Sequence, residues 1–100
     1  MSLIPEGWLL FAVDIEYTVP FDEVEKVLEP HMEFVRRAYA EGRFLASGPK
    51  EPRTGGIVIM MAESPDAAEA YLAADPFATT GVASMQLTAF KPSNLHPALK

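Results

Sequence analysis

The stretch "WLLFAVDIEY", residues 8–17, determines how the rest of the chain must be arranged. Every second side chain from Leu9 to Tyr17 is apolar, which is the two-residue period of a strand with one buried face. The side chains between them begin apolar at Trp8 and turn polar at Asp14. The pattern therefore predicts a strand whose first face is wholly buried and whose second face becomes polar toward its end.

Three further strands are predicted to accompany this one. The run "IVIMMA", residues 57–62, is apolar on both faces, which is typical of a central strand covered on both sides. Residues 43–48 form a short apolar run, and residues 83–91 alternate between the two faces of a strand. Residues 49–56 contain two prolines and two glycines and are predicted to be a loop.

Helical periodicity fills the two remaining intervals. Proline disfavours helical angles in the residue before it and is itself a good first residue of a helix. Pro30 therefore predicts a short helix at about residues 22–28 and a second one over residues 30–42. A third helix is predicted to begin after Ser64, a good N-cap residue that precedes a proline. Its expected buried stripe is Ala67, Ala70, Tyr71 and Ala74.

The predicted order β-α-β-β-α-β is that of an α+β, ferredoxin-like sandwich. Its helices cover only one face of the four-stranded sheet, and the other face retains large apolar side chains. An exposed apolar patch of that size is unusual on a stable monomer. We therefore expect a homodimer that packs through the open sheet face, which is the architecture of a dimeric α/β barrel.

The length and composition indicate one ordinary globular domain. The chain has 100 residues, of which 49% are hydrophobic and 22% charged. We expect the domain to occupy residues 1–92. Residues 93–100 contain two prolines and are expected to form an extended C-terminal arm.

Charge and motifs exclude several functional classes. The net charge of −6 argues against a nucleic-acid partner, which requires a basic patch. The absence of cysteine excludes disulfides and thiolate zinc sites. We expect no cofactor and no metal, because neither a glycine-rich nucleotide motif nor a metal-ligand spacing occurs. The longest apolar run is too short to span a bilayer and no signal peptide is visible, so a cytoplasmic protein without a membrane partner is expected.

His31 is the first candidate for chemistry. Phe34, Val35 and Ala38 follow it at helical spacing, so the imidazole is expected to face the core. In the first turn of the predicted helix, burial and the helix dipole both disfavour imidazolium, whereas a nearby carboxylate would oppose them and select one tautomer. An oriented histidine in a dry pocket suits general acid–base catalysis. The alternative interpretation is a hydrogen-bonded core histidine.

Asp75 stands in "AADPFATTG", residues 73–81, where the chain must leave its helix. An aspartate before a proline commonly organises the turn, so the residue type alone leaves its role open. Phe77 is expected to line a pocket or to pack in the core.

A polar segment after the second strand is the other candidate. Ser47 precedes Gly48 and Pro49 and lacks the setting of a nucleophilic serine, so an ordinary strand-end residue or a hydrogen-bond donor to substrate is expected. Lys50 and Arg53 either attract an anionic substrate or are solvated loop charges.

Five features occur in a defined order along the chain. They are His31 opening a helix, "EGRFLASGP" (residues 41–49), "ADPF" (74–77), "GV" (81–82) and "AFKP" (89–92). In these features the chain resembles the YCII-like family of small dimeric α+β barrel proteins, and the resemblance extends over about residues 8–92. Three departures are visible: Gln86 stands where relatives often carry an acid, residues 49–56 form a shorter loop than in many relatives, and the C-terminal arm of residues 93–100 is not general in the family.

The resemblance implies specific roles. In the family, the histidine and the aspartate of the Asp-Pro-Phe motif face one another in a pocket, which makes His31 and Asp75 the expected catalytic pair. Asp75 would then orient His31 and balance its charge. Some relatives resemble lyases that remove chloride from chlorinated hydroxyquinones. The expected substrate-binding residues are Ser47, Gly48, Pro49 and Phe77.

Three functional hypotheses follow. The first is a cofactor-free lyase or isomerase in which His31 moves a proton on a small organic substrate, with aromatic compounds among the candidates. The second is a non-catalytic dimeric module that binds a small ligand or docks on a larger enzyme, with the His31–Asp75 pair as a structural hydrogen bond. The third, a haem or oxygen enzyme on the same barrel, would require a haem-sized cavity with a histidine ligand.

Overall fold

The computed structural model describes residues 3–100, and the first two residues of the predicted domain lie outside the described residues. The elements confirm the predicted β-α-β-β-α-β order and add one short helix that the pattern did not predict. They are β1 (Leu9–Tyr17), α1 (Phe21–Ala40), β2 (Phe44–Pro49), β3 (Gly55–Ala62), α2 (Pro65–Leu72), α3 (Pro76–Thr79), β4 (Ala83–Phe90) and a 3-10 turn (Pro97–Leu99).

The four strands form one antiparallel sheet in the order β2-β3-β1-β4. The two strands with the strongest apolar patterns, β1 and β3, are therefore central, which confirms the prediction made for β3. Their register pairs Leu9 with Ala62 and Glu16 with Gly55. Since paired residues share a face, the apolar side of β1 and the alternate residues of β3 face the helices together. Buried on this face of the two strands are Phe11, Val13, Ile15, Val58, Met60 and Ala62.

The first helix corrects the prediction of a break before Pro30. A single helix runs from Phe21 to Ala40 with Pro30 in its interior. Proline removes one backbone hydrogen bond there. The helix continues because its apolar stripe packs on the core from Val24, before the proline, to Phe34 and beyond it. His31 is consequently in mid-helix, so the predicted contribution of the helix dipole to its charge state does not apply.

The second helix corrects the predicted buried stripe. Ser64 caps it as predicted, accepting a hydrogen bond of 3.1 Å from the Ala67 amide. Ala67 and Tyr71 of the predicted stripe are partly buried against the core, whereas Ala70 and Ala74 are exposed. The fully buried residues are Ala68 and Leu72, four positions apart on one side of a helix that ends at Leu72 after two turns.

Gly55 marks the closest approach of two strand backbones. It begins β3 opposite Glu16 of β1. A methyl group at Gly55 would overlap the carbonyl oxygen of Ile15 and lie 2.8 Å from its carbonyl carbon. Only glycine therefore permits this register at the end of the sheet where the cavity described below lies.

The C-terminal tail folds back along the chain's N-terminal segment. Leu95 packs against a small apolar cluster of Ile4, Leu10 and Met61, and the Leu3 amide donates to the Leu99 carbonyl at 3.3 Å. Within the described part of the chain, no helix is long and apolar enough to cross a membrane.

Candidate active site

Asp75 organises the third helix through its position before proline. Pro76 favours extended angles in the residue before it, and Asp75 has φ −64° and ψ 129°. Its side chain caps the helix, with Oδ1 accepting from the Phe77 amide at 2.9 Å. Its backbone carbonyl accepts from the amides of Ala78 and Thr79. The Asp-Pro-Phe sequence therefore builds a single helical turn that directs Phe77 into the core.

The same carboxylate oxygen lies against His31. Nδ1 of the imidazole is 2.8 Å from Oδ1 of Asp75, although the two residues are 44 positions apart in the chain. Asp75 is 1% exposed and the His31 side chain 12% exposed. A carboxylate only accepts hydrogen bonds, so we assign the proton of the neutral imidazole to Nδ1. Nε2 is then the unprotonated nitrogen that can accept a proton.

Phe77 fixes the plane of the imidazole. The His31 and Phe77 rings are stacked with centroids 3.6 Å apart and an interplanar angle of 2°. The Tyr17 ring meets Phe77 edge-on at 6.0 Å, which holds Phe77 in turn. One short segment, residues 75–77, therefore supplies both the hydrogen bond and the stacking surface that orient His31.

A cavity of about 240 Å³ lies beside this assembly. The hydrogen bond to Asp75 uses Nδ1 of His31, which leaves Nε2 as the other ring nitrogen. Among residues 3–100, no buried side-chain nitrogen or oxygen lacks a hydrogen-bond partner, so Nε2 is accessible and not buried. Because His31 borders the cavity, we infer that Nε2 is in contact with that space. The cavity walls come from α1, α3 and the ends of β1, β2 and β3, and they include Ile15, Tyr17, Leu28, Met32, Val35, Gly55, Ile57 and Val58.

The four expected substrate-binding residues, Ser47, Gly48, Pro49 and Phe77, also border this cavity. Asp75 lies behind the imidazole and reaches the cavity only through it. The Ser47 hydroxyl is 2.7 Å from the hydroxyl of Tyr39, a contact that no pattern in the sequence predicts. Tyr39 is exposed on the last turn of α1.

The two loop cations have different surroundings. Arg53 borders the cavity, whereas Lys50 forms an ion pair of 2.6 Å with Asp14. The sequence does not show which of the two cations borders the cavity, because both belong to the same loop and their positions depend on the path that the loop takes.

Two ionisable side chains outside this cavity, Tyr71 and Glu63, have shifted pKa values. Burial and a hydrogen bond to Glu41 raise the pKa of Tyr71 to about 12. A hydrogen bond from Arg43 lowers the pKa of Glu63. The Arg43 guanidinium also lies over the rings of Trp8 and Tyr71, at 5.0 and 5.6 Å. This cluster ties α2 to neighbouring segments and has a structural role.

No metal site accompanies the histidine in the part of the chain that the structure describes, since no group of three or more histidine, aspartate or glutamate side chains is placed to hold an ion there. The arrangement itself provides a planar base with a defined tautomer, a buried carboxylate behind it and an apolar cavity in front. Such a set can transfer a proton to or from a bound organic molecule.

Comparison with solved structures finds the same fold in proteins of low sequence identity. The 5-chloro-2-hydroxyhydroquinone dehydrochlorinase TftG from Burkholderia phenoliruptrix, solved in complex with 2,5-dihydroxybenzoquinone, is 22% identical with a TM-score of 0.70. The match covers 82% of this chain and 93% of that chain. At this identity, the likeness shows a common fold.

Two further solved structures share the fold less closely. SnoaB from Streptomyces nogalater, a cofactor-independent oxygenase, is 17% identical with a TM-score of 0.53, and the match covers 91% of this chain and 98% of that one. A conserved protein of unknown function from Bacteroides thetaiotaomicron, described as a possible oxidoreductase, is 16% identical with a TM-score of 0.55 over 86% of this chain and 98% of that one.

Comparison with curated protein sequences found no match. The family model of the YCII-related domain, however, matches residues 7–91 and so covers all four strands and the three α-helices. The chain therefore belongs to the family of YCII-related domains.

Proposed function

We propose that this protein is a cofactor-free lyase or isomerase that moves a proton on a small planar organic molecule. His31 acts as the general acid–base residue, and Asp75 is the positioning residue that holds its tautomer. The observation that carries the proposal is the buried 2.8 Å contact between Asp75 and Nδ1, which leaves Nε2 for the cavity. The likeness in fold to a dehydrochlorinase and to a cofactor-independent oxygenase supports chemistry without a cofactor.

The cavity favours an enzyme over a module in which the pair is only a structural hydrogen bond. A structural pair needs no open space beside it, whereas His31 borders about 240 Å³. An apolar cavity of about 150 Å³ is enough to bind benzene, so this volume suits one substituted ring. The cavity walls are mainly apolar, which suits the faces of an aromatic ring, and Ser47, Tyr17 and Arg53 add polar groups at which its substituents can bind.

Dehydrochlorination of a chlorinated hydroxyhydroquinone is the specific reaction we propose first. The net change is loss of HCl: one hydroxyl proton moves to the ring carbon that bears chlorine, and a second is released with chloride as two C–O bonds become carbonyls. No oxidant is required. Nε2 of His31 accepts the hydroxyl proton and delivers it to the carbon, as a general base and then a general acid.

A proton-exchange assay tests this role of His31. In D₂O, the ring protons of 2,5-dihydroxybenzoquinone exchange through protonation of ring carbon, and NMR follows the loss of their signal. We expect the wild-type protein to exceed free imidazole at equal concentration by about 100-fold or more, and His31→Gln to lose this excess. His96→Gln, which changes the exposed histidine of the tail, is expected to match the wild type.

The outcomes separate the general proposal from the specific reaction. A wild-type rate no greater than that of imidazole, or an undiminished rate in His31→Gln, would contradict proton transfer by His31. Chloride release from 5-chloro-2-hydroxyhydroquinone is measured separately under anaerobic conditions. Exchange without chloride release would retain the proton-transfer role and reject dehydrochlorination.

We also propose that a second copy of the chain covers the open sheet face. Ile57 and Phe90 on this face are 39% and 44% exposed, and Ala12 and Ile59 form an apolar pair between them. Helices shield only the opposite face, so pairing two sheets would remove this apolar surface from water.

Sedimentation equilibrium tests the dimer. We expect a mass of twice the 11.0 kDa of one chain at micromolar concentration. Ile59→Lys, at the centre of the face, is expected to raise the dissociation constant at least about 100-fold, because it desolvates a charge in the interface. Ala40→Lys, exposed at the end of α1, is the matched control. A wild-type monomer throughout would reject the dimer.

A further inference from the structure

We propose that Arg53 determines the specificity of the His31 cavity and that its ligand is a planar organic anion whose charge lies on oxygen. This inference deepens the proposed function and rests on it for the identity of the site. The cavity would accordingly select carboxylates, phenolates or enolates conjugated with a ring and would discriminate against neutral molecules of the same shape.

Arg53 is an exposed cation at the cavity for which no carboxylate partner is found in the described part of the chain. Within residues 3–100, four other cationic side chains form ion pairs with Asp or Glu, whereas none is found for Arg53. Its guanidinium carbon lies 4.7 Å from the centre of the Phe21 ring, and Nε–H donates to the Tyr17 hydroxyl at 3.5 Å. These contacts engage one face of the guanidinium and one of its five N–H groups.

The two terminal amino groups of Arg53 remain to bind a ligand. A planar guanidinium offers them as a fork that matches two oxygens of one anion. The contacts with Phe21 and Tyr17 restrict this exposed side chain before a ligand arrives, which reduces part of the entropy that binding must overcome. Tyr17 also packs on Phe77, so the cation and the imidazole are supported by adjoining aromatic rings.

The surroundings of Arg53 favour a strong interaction between its positive charge and a bound anion. The chain carries a net charge of −6, so an anion is repelled at long range and needs a local cation in order to bind. The cavity walls are mainly apolar, and an ion pair at their edge is stronger than one in bulk water. The carboxylate of Asp75 is not among the groups that line the cavity, and its Oδ1 is engaged by His31 Nδ1 and the Phe77 amide.

The position of Arg53 also fits the proposed chemistry. When His31 takes a proton from a carbon or hydroxyl beside a carbonyl, negative charge develops on the substrate oxygens. A preorganised guanidinium in the same cavity would stabilise that charge. Arg53 is thus expected to act both on binding and on the proton-transfer step.

Binding of matched neutral and anionic rings tests the inference. NMR chemical-shift titrations with benzoate and benzamide compare a carboxylate with its neutral isostere, and pentafluorophenolate with pentafluoroanisole does the same for a phenolate. We expect the wild type to bind at least one anion about 10- to 100-fold more tightly than its neutral counterpart, with shifts at His31 and Phe77. The ligand pair that shows the larger preference for its anion indicates whether the cavity binds a carboxylate or a phenolate more strongly.

Variants at Arg53 separate charge from packing. Arg53→Gln is expected to bring the anion-to-neutral affinity ratio to about 1 while the neutral ring binds as before, and Arg53→Lys to retain part of the preference. Arg36→Gln, on the exposed face of α1 and paired with Glu29, makes the same change of charge away from the cavity and should preserve the ratio.

Each outcome bears on one of the two proposals. Equal binding of neutral and anionic rings, no binding of any ring at millimolar concentration, or a preference retained by Arg53→Gln would overturn the role of Arg53. A preference lost in Arg53→Gln would support it even if His31→Gln left proton exchange unchanged. In that last case, the anion site would stand and the proposed enzyme would fail.

Discussion

Asp75→Asn is expected to reduce His31-dependent proton exchange by about 100- to 10,000-fold while leaving the protein folded. Asparagine is as good an N-cap as aspartate, and its amide oxygen can still accept from the Phe77 amide, so α3 should persist. What disappears is the buried negative charge beside Nδ1. A neutral amide oxygen at the same place can still accept from Nδ1–H, but it holds that tautomer less strongly than a carboxylate does, so Nε2 becomes protonated in part of the population.

Nitrogen-15 NMR of the imidazole measures this change directly. In the wild type we expect the shifts of His31 at neutral pH to indicate a proton on Nδ1, and in Asp75→Asn to move toward a mixture of tautomers. The signals of His96 provide an internal reference. Asp66→Asn, the same replacement at an exposed position in the first turn of α2, is the matched control. Unchanged shifts of His31 together with an unchanged exchange rate would return Asp75 to the role of helix terminator.

Gly55→Ala is expected to lower the free energy of unfolding by about 3 kcal/mol, the upper end of the range for an added methyl group in a packed site. The added methyl group would overlap the Ile15 carbonyl oxygen, which belongs to the backbone of a central strand and cannot turn aside. The start of β3 must therefore move away from β1. Because both Gly55 and Ile15 border the cavity, the same displacement would also change the shape of the binding site.

Urea unfolding compares this variant with Gly48→Ala in β2. A methyl group at Gly48 meets no atom within 4 Å, and Gly48 is not among the glycines with positive φ. The control is therefore expected to be as stable as the wild type or up to about 1 kcal/mol more stable, since alanine restricts the unfolded chain. Equal stability of the two variants would show that the strands accommodate the methyl group and that the close approach at Gly55 is not required.

The strands and the start of α2 were predictable from the sequence because they depend on local patterns. Apolar alternation over residues 8–17 indicates burial on one face of β1, and the serine at position 64 before a proline indicates a capped helix. Neither signal depends on residues elsewhere in the chain. The inward orientation of His31 also followed from its spacing to Phe34, Val35 and Ala38. These features depend on residues within a few positions of one another.

The first helix shows where a local rule is overridden. The rule for the residue before proline predicted a break at Pro30, and the rule is sound for an isolated segment. In the folded chain, residues on both sides of Pro30 pack on the same core, and their burial outweighs the loss of one hydrogen bond. A local sequence pattern does not show whether burial of the helix outweighs the lost hydrogen bond, because the sheet on which the helix packs is built from distant segments of the chain.

The features of the candidate site also fall into those that local sequence predicts and those that depend on tertiary packing. The sequence by itself determined the parts: an inward histidine on α1, an Asp-Pro-Phe turn after α2 and a charged loop between β2 and β3. Only the tertiary structure decided that Asp75 lies 2.8 Å from His31 across 44 positions, that Phe77 stacks on the imidazole and that Arg53, rather than Lys50, borders the cavity. The physical reason is that these contacts depend on how the helices pack on the sheet and on the path of the loop, which no short-range pattern encodes.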